Sequence, residues 1–215
     1  MANTSHIFGF RPSRYLGASP YNGETELYAF SASDATAAFK GDVCQIDDTH
    51  RSTALADVYA PGIPFVKQSS GALTTTKFRG VIAGFEPQPQ FSQSATASLG
   101  TMYRLASTAR YAWVVDDYMT VFEVEESGTN SYTTAASNAI NQLIEYAPGS
   151  GNTSTGVSGA TVLGTTIATT NLPFRVLRLT QKPDNWKSLA TDTAPFWHWD
   201  VMMANCDLAT VLVGL

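Results

Sequence analysis

The sequence predicts an all-β protein, mainly an antiparallel sandwich or barrel-like structure, with one short helix and an extended N-terminal arm. Three observations carry this. Short runs of β-forming residues recur along the chain, turn residues close most of them, and a single segment has helical spacing. Residues 1–26 form the arm and residues 27–215 the β-rich domain. With 215 residues the chain can bury a substantial core.

In the arm, Ile7, Phe8, Phe10, Tyr15, Leu16 and Tyr21 are interleaved with Gly9, Pro12, Gly17, Pro20 and Gly23. Gly and Pro at this density exclude a continuous helix. So many rings exclude a simple disordered tail. An extended segment satisfies both conditions and reaches roughly 3.3 Å per residue. Its expected interface residues are Phe8, Phe10, Tyr15 and Tyr21, with Arg11 and Arg14 placed to pair with carboxylates or stack on rings. The same composition fits a segment that packs back on its own domain. A free arm predicts that removing residues 1–23 leaves a folded domain.

The strands follow in order. Glu26–Phe30 alternates and ends at Ser31, Ser33 and Asp34. Residues 42–46 start after Gly41 and stop at Asp47-Asp48, and residues 58–59 and 64–66 flank Pro61-Gly62. Residues 79–85 read as a buried strand in which Gly80 and Gly84 mark a bulge or a close backbone approach. Residues 111–115 and 121–125 are separated by the turn Asp116-Asp117-Tyr118. Phe122 and Val124 take one face and Glu123 and Glu125 the other, the pattern of a half-buried antiparallel strand. Residues 133–146 are the expected helix, with Ala136, Ile140, Leu143 and Ile144 at helical spacing and Pro148-Gly149 as the stop. Residues 150–158 read as a loop. Residues 175–180 place Val176 with Arg178 on one face and Leu177 with Leu179 on the other, and Pro183-Asp184-Asn185 is a turn. Residues 196–203 and 209–213 are the last strands.

Charge is the unusual part of the composition. Asp, Glu, Lys and Arg make up 14% of residues, against roughly a quarter in a typical soluble domain. A surface poor in charge is easier to desolvate, which suits broad contact with other chains; a Thr-rich β surface without a partner has the same composition. A formal net charge of -5 with scattered cations argues against nucleic acid. No run approaches the ~20 apolar residues of a membrane span, so no membrane residence is expected. Cys44 and Cys206 form no CxxC pair and are expected to be buried thiols.

No set of residues with matched catalytic roles emerges, and none for a metal or cofactor. His6, His50 and His198 belong to no HExxH or HxH pattern, and His198, between Trp197 and Trp199, reads as a packed strand residue. No GxSxG elbow, P-loop or GxGxxG occurs. The carboxylate pairs Asp47-Asp48, Asp116-Asp117 and Glu125-Glu126 could serve a calcium site or glycosidase chemistry, but without EF-hand spacing they read as solvated turn residues. A non-enzymatic protein is therefore expected. Trp113, Trp186, Trp197 and Trp199 could form a carbohydrate platform, although rings of this kind more often fill β cores.

Several stretches belong together in their order. They are Gly9-Phe10-Arg11-Pro12-Ser13-Arg14-Tyr15, Pro20-Tyr21-Asn22-Gly23, Gly41-Asp42-Val43 and Gly80-Val81-Ile82-Ala83-Gly84-Phe85-Glu86-Pro87. Further along come Arg104-Leu105-Ala106-Ser107-Thr108-Ala109-Arg110-Tyr111, Val121-Phe122-Glu123-Val124, Thr155-Gly156-Val157-Ser158-Gly159 and the run Leu177-Arg178-Leu179-Thr180-Gln181-Lys182-Pro183-Asp184-Asn185. In this order the chain resembles a family of tailed-bacteriophage head proteins, the capsid cement or decoration proteins. The resemblance implies a virion protein on the outer surface of the head. Such a protein would bind the major capsid protein, bridge neighbouring capsomers and associate with itself as a trimer or dimer, without a cofactor. The arm could then add a strand to a neighbour's open sheet edge. The alternative is a receptor- or glycan-binding protein of the virion surface.

Overall fold

The computed structural model of the chain describes residues 5–47, 63–70, 78–87, 102–127, 140–168, 172–182 and 196–204. These residues build eleven strands: β1 (Arg11–Tyr15), β2 (Glu26–Phe30), β3 (Val43–Ile46), β4 (Val66–Gln68), β5 (Phe78–Phe85), β6 (Arg110–Val115), β7 (Thr120–Glu125), β8 (Leu143–Ala147), β9 (Thr161–Ala168), β10 (Phe174–Leu179) and β11 (His198–Met203). One sheet has the order β1-β7-β11-β10-β8-β9 and the other β2-β6-β5-β3-β4. All neighbouring strands pair antiparallel. The all-β, sandwich-like expectation holds.

The five-stranded sheet is apolar on both faces. Val43, Phe78, Val81 and Val115 join a core cluster shared with Phe122, Phe174, Trp199 and Val201 of the six-stranded sheet. Cys44, Ile82, Ala112 and Val114 point the other way and form a second cluster with Tyr28 and Phe30. Successive strand residues face opposite sides, so adjacent apolar pairs such as Val81-Ile82 and Val114-Val115 serve two cores at once. The second cluster needs its own cover, and the sheet supplies it by curling. Ala29 N donates to Pro64 O at 3.0 Å and Ala29 bridges Phe65 in parallel, joining the two ends of the sheet. The six-stranded sheet curls likewise, with Ser127 N donating to Val162 O at 3.0 Å beside the parallel bridge Glu126–Val162.

The helix expected over residues 133–146 is not present where the structure describes it. Leu143–Ala147 is strand β8, between β10 and β9, and no helix occurs among the described residues. Leu143, Ile144 and Tyr146 are all buried. Ile144 and Tyr146, two residues apart, join the shared core cluster, while Leu143 is covered on the opposite face, and the register shift after Ile144 places its extra residues on β9. Closely spaced apolar residues fit a strand buried on both faces as readily as a helix. A bulge also alters β10. Val176 pairs Val201 and Arg178 pairs Asp200, so Val176 is buried while Arg178 points out, and the two do not share a face.

The N-terminal segment is extended but does not project. Residues 11–15 are β1, paired with β7 from Arg11–Glu123 to Tyr15–Thr120. Pro12 is tolerated because β1 lies at the end of the sheet and a register shift follows it. Phe10 is 2% exposed inside the shared core. The reason is the size of the ring: leaving such an apolar surface in water costs about 1.5–3 kcal/mol. The segment packs back on its own domain.

The turn Asp116-Asp117-Tyr118 is as expected, with Thr120 N bonded to Asp117 O at 3.0 Å, but it carries the chain from one sheet to the other rather than closing a hairpin. The expected strands at 58–59 and 209–213 lie outside the described residues, as do the turn Pro183-Asp184-Asn185, residues 133–139 of the expected helix, Asp48, His50, Trp186 and Cys206.

Candidate functional site

The outer face of the six-stranded sheet holds a row of buried charges. On β7, Phe122 and Val124 face the core, which turns Glu123 and Glu125 outward; on β11, Trp199 and Val201 face the core and His198 and Asp200 turn outward. Strand pairing sets Glu125 opposite His198 and Glu123 opposite Asp200. None of the four reaches solvent appreciably: exposures are 3% for Glu123, 1% for Glu125, 6% for His198 and 4% for Asp200. The half-buried strand expected from the alternation of β7 is thus buried on both faces. The cover comes from the N-terminal segment on one side and from the end of β10 and Lys182 on the other.

Each carboxylate is matched. Glu123 accepts from Arg11 Nη2 at 2.5 Å, lies 3.0 Å from His198 Nδ1 and is ion-paired with Lys182. Glu125 accepts from Ser5 Oγ at 2.7 Å and from the backbone N of His6 at 2.6 Å, with His198 Nε2 at 3.5 Å. Asp200 accepts from Arg178 Nε at 2.8 Å and Thr180 Oγ1 at 2.9 Å, with Arg14 Nη2 at 3.4 Å. The Phe8 ring closes the top, 5.3 Å from the His198 ring and beneath the guanidinium of Arg11 at 4.8 Å. Burial alone would raise the pKa of Glu123, but the hydrogen bonds from His198, Lys182 and Arg11 outweigh it and hold the value down to about 2. Burial likewise opposes the shift of Glu125, which His198, Ser5 and His6 hold below the usual range. Burial would lower the pKa of His198, and the two glutamates raise it instead. The cluster fastens the N-terminal segment to the sheet. Saturated, ionised carboxylates of this kind are poorly suited to general-base work, which needs a pKa near the working pH. Among the described residues, no group of three or more His, Cys, Asp and Glu is arranged to hold a metal ion.

The remaining carboxylate pairs also depart from the solvated reading. Glu126 is 1% exposed and accepts from Trp199 Nε1 at 3.1 Å; burial pushes its pKa up to about 7. Asp47 is buried, 3.7 Å from Lys67 Nζ. Asp116 accepts from Tyr28 Oη at 2.8 Å and faces Arg79 Nη2 at 3.5 Å.

The segment is seated at a second point by a backbone crossing. Phe10 N donates to Gly41 O at 2.9 Å, and Gly41 N donates to Ile82 O at 2.8 Å. Ile82 N returns a bond to Asp42 O at 2.9 Å. Gly9 and Gly41 both have positive φ, +70° and +93°, and a Cβ on Gly9 would lie 2.7 Å from Gly41 O. The Asp42 carboxylate, fully buried, accepts from Phe39 N at 2.8 Å, Gln68 Nε2 at 2.7 Å and the hydroxyl of Ser158. Burial raises its pKa to about 6 against the pull of those bonds. Four of the stretches singled out in the sequence therefore meet here, through Gly9, Gly41-Asp42, Ile82 and Ser158.

Of the expected interface residues, Phe10 is in the core, Arg11 and Arg14 pair with carboxylates of their own chain, and Phe8 caps the charge cluster. Tyr15 and Tyr21 lie ring to ring at 5.8 Å; Tyr15 Oη donates to Asn22 Oδ1 at 2.6 Å and Tyr21 Oη to Glu24 O at 2.7 Å. Phe8, Arg11, Pro12 and Tyr21 line a groove of about 580 Å³ together with Lys40 and Trp113. Trp113 is 39% exposed, whereas Trp197 and Trp199 are 5% and 1% exposed in the core. Sequence reasoning missed Lys40 altogether and placed Trp113 in a strand without marking its face. The available signal was Gly84, whose missing side chain leaves space beside its partner Trp113. Compared with protein-family models, with curated proteins and with solved structures, the chain matches none.

Proposed function

We propose that this chain is a structural protein of a tailed-phage head, a capsid cement or decoration protein that works without a cofactor. It binds the outside of the major capsid shell and bridges neighbouring capsomers as a trimer or dimer. The observation that carries this reading is the convergence of the family-like stretches on one junction. Residues of those stretches, Gly9, Gly41-Asp42, Ile82 and Ser158, seat the N-terminal segment. The low charge content supports it too, since many modest apolar and hydrogen-bonded contacts repeated on a lattice give avidity. The rival reading as a glycan-binding virion protein keeps only Trp113 of the described tryptophans, because Trp197 and Trp199 are core residues.

The test adds the purified chain to phage shells assembled without it. Stoichiometric decoration visible by cryo-electron microscopy, with raised resistance of the shells to heat, is the expected result. Shells that stay bare at saturating protein end the proposal.

A further inference from the structure

The composition of the groove beside Trp113 selects its occupant. Among the described residues two cations line it, Arg11 and Lys40, and no carboxylate does, on a chain of net charge -5. The Arg11 side chain is 55% exposed even while it holds Glu123. Lys40 is exposed and enters no ion pair among the described residues. The Trp113 ring, Pro12, Tyr21 and Val157 supply apolar surface, and nothing lies within 4 Å of where a Cβ would stand on Gly23 or Gly84, so the lining leaves room for a ligand's backbone. The size is that of an ordinary ligand site. Side-chain amides and carboxylates, the groups that offer paired acceptors and donors to sugar hydroxyls, are missing from the lining. Two cations are also too few for a nucleic-acid backbone, whose binding scales with the number of phosphates neutralised.

We propose that this groove binds an extended acidic peptide segment, with one apolar side chain against Trp113 and flanking carboxylates on Lys40 and Arg11. The inference rests on the structural reading above and names the chemistry of the shell segment that would dock. Charge complementarity fixes the register, and the Trp113 ring supplies the buried anchor.

The probe is a fluorescein-labelled peptide alternating Asp and Val around one central Phe, titrated into the full chain. The peptide is expected to bind, and its Asp→Asn counterpart to bind about tenfold more weakly. Lys40→Ala and Trp113→Ala should each weaken binding roughly five- to tenfold. Lys40→Ala should keep the wild-type melting temperature, because its side chain is exposed, and Trp113→Ala, whose ring is 39% exposed, should remain fully folded at the assay temperature. Equal binding of the Asn peptide, or undiminished binding by both variants, overturns the assignment. So does a glucuronate oligosaccharide that binds more tightly than the acidic peptide. Shell decoration is read separately. If the double variant coats shells as well as the wild type, the groove inference fails and the structural role stands. If the wild type binds the peptide but leaves shells bare, the structural role fails instead.

Discussion

The ring of Phe10 stacks on the ring of Phe174 with 4.4 Å between centroids and 24° between planes. Phe174 in turn stacks on Phe78 of the opposite sheet at 4.9 Å. An N-terminal residue thus heads a column of three rings that ties both sheets together.

Phe10→Ala should therefore cost about 3–5 kcal/mol, the usual range for deleting a buried phenylalanine. Phe10→Leu should cost less, since much of the volume is kept. Urea unfolding curves compare the two with the wild type. Deletion of residues 1–23 removes Phe10 and β1 together, so that truncation should lack a cooperative transition, contrary to what a free arm predicts.

Gly9→Ala tests the backbone crossing. It forces an L side chain into φ +70° and brings its Cβ to 2.7 Å from both Gly41 O and Ser158 Cβ. The segment should loosen, and trypsin should cut after Arg14 several times faster than in the wild type; the bond after Arg11 is protected by Pro12. An unchanged cleavage rate would mean that the crossing does not hold the segment down.

Arg104 supplies a test away from the site. It has no exposed surface, and its guanidinium bonds Asp34 Oδ2 at 3.0 Å and the carbonyls of Ser31, Asp34 and Thr108 at 2.7 to 2.8 Å, with Thr36 O as a further partner. A lysine has no planar fork with which to serve five acceptors. Arg104→Lys should destabilise the fold, and Arg104→Ala by about 3–5 kcal/mol, because it strands a buried carboxylate. Thermal unfolding provides the comparison.

Stability should depend on pH in two opposite ways. The folded pKa of Glu123, about 2, lies below its ordinary 4.5, so its contribution is present above 4.5 and disappears as pH falls towards 2. The folded pKa of His198 is raised from 6.5, so its contribution is present below 6.5 and is lost as pH rises through the raised value. Asp42 and Glu126, raised to about 6 and about 7, oppose folding increasingly as pH climbs from about 4 to 7. The chain should be most stable in mild acid, near pH 5. Glu123→Gln should flatten the acid limb, and Asp42→Asn the rise in instability between pH 4 and 6. Unfolding midpoints across pH 3–8 give both slopes.

Much of this fold is legible in the sequence because period-two runs and turn residues are local signals. β2, β3, β5, β6, β7 and β11 lie close to their expected positions. β8 reads as a helix because it is buried on both faces, so that Leu143 and Ile144 are both apolar and mimic helical spacing. β1 was obscured by Pro12, whose tolerance depends on lying at the end of a sheet, a fact of tertiary pairing. The same limit hid the charge cluster. Glu123 and Glu125 alternate with apolar residues as solvent-facing side chains do, and only the chain laid over them, more than a hundred residues distant in sequence, buries them. The arginines were legible as carboxylate partners, but not that the carboxylates were their own.

The curling of the two sheets has a consequence for assembly. Each sheet ends against itself, at Ala29–Phe65 and at Glu126–Val162, and the loop after β1 folds over that strand through Tyr15 N to Ser19 O and Tyr21 N to Ser13 O. Among the described residues, a subunit built this way offers a neighbour little unpaired backbone at those margins. Strand-to-strand zipping of copies along those margins is thereby disfavoured.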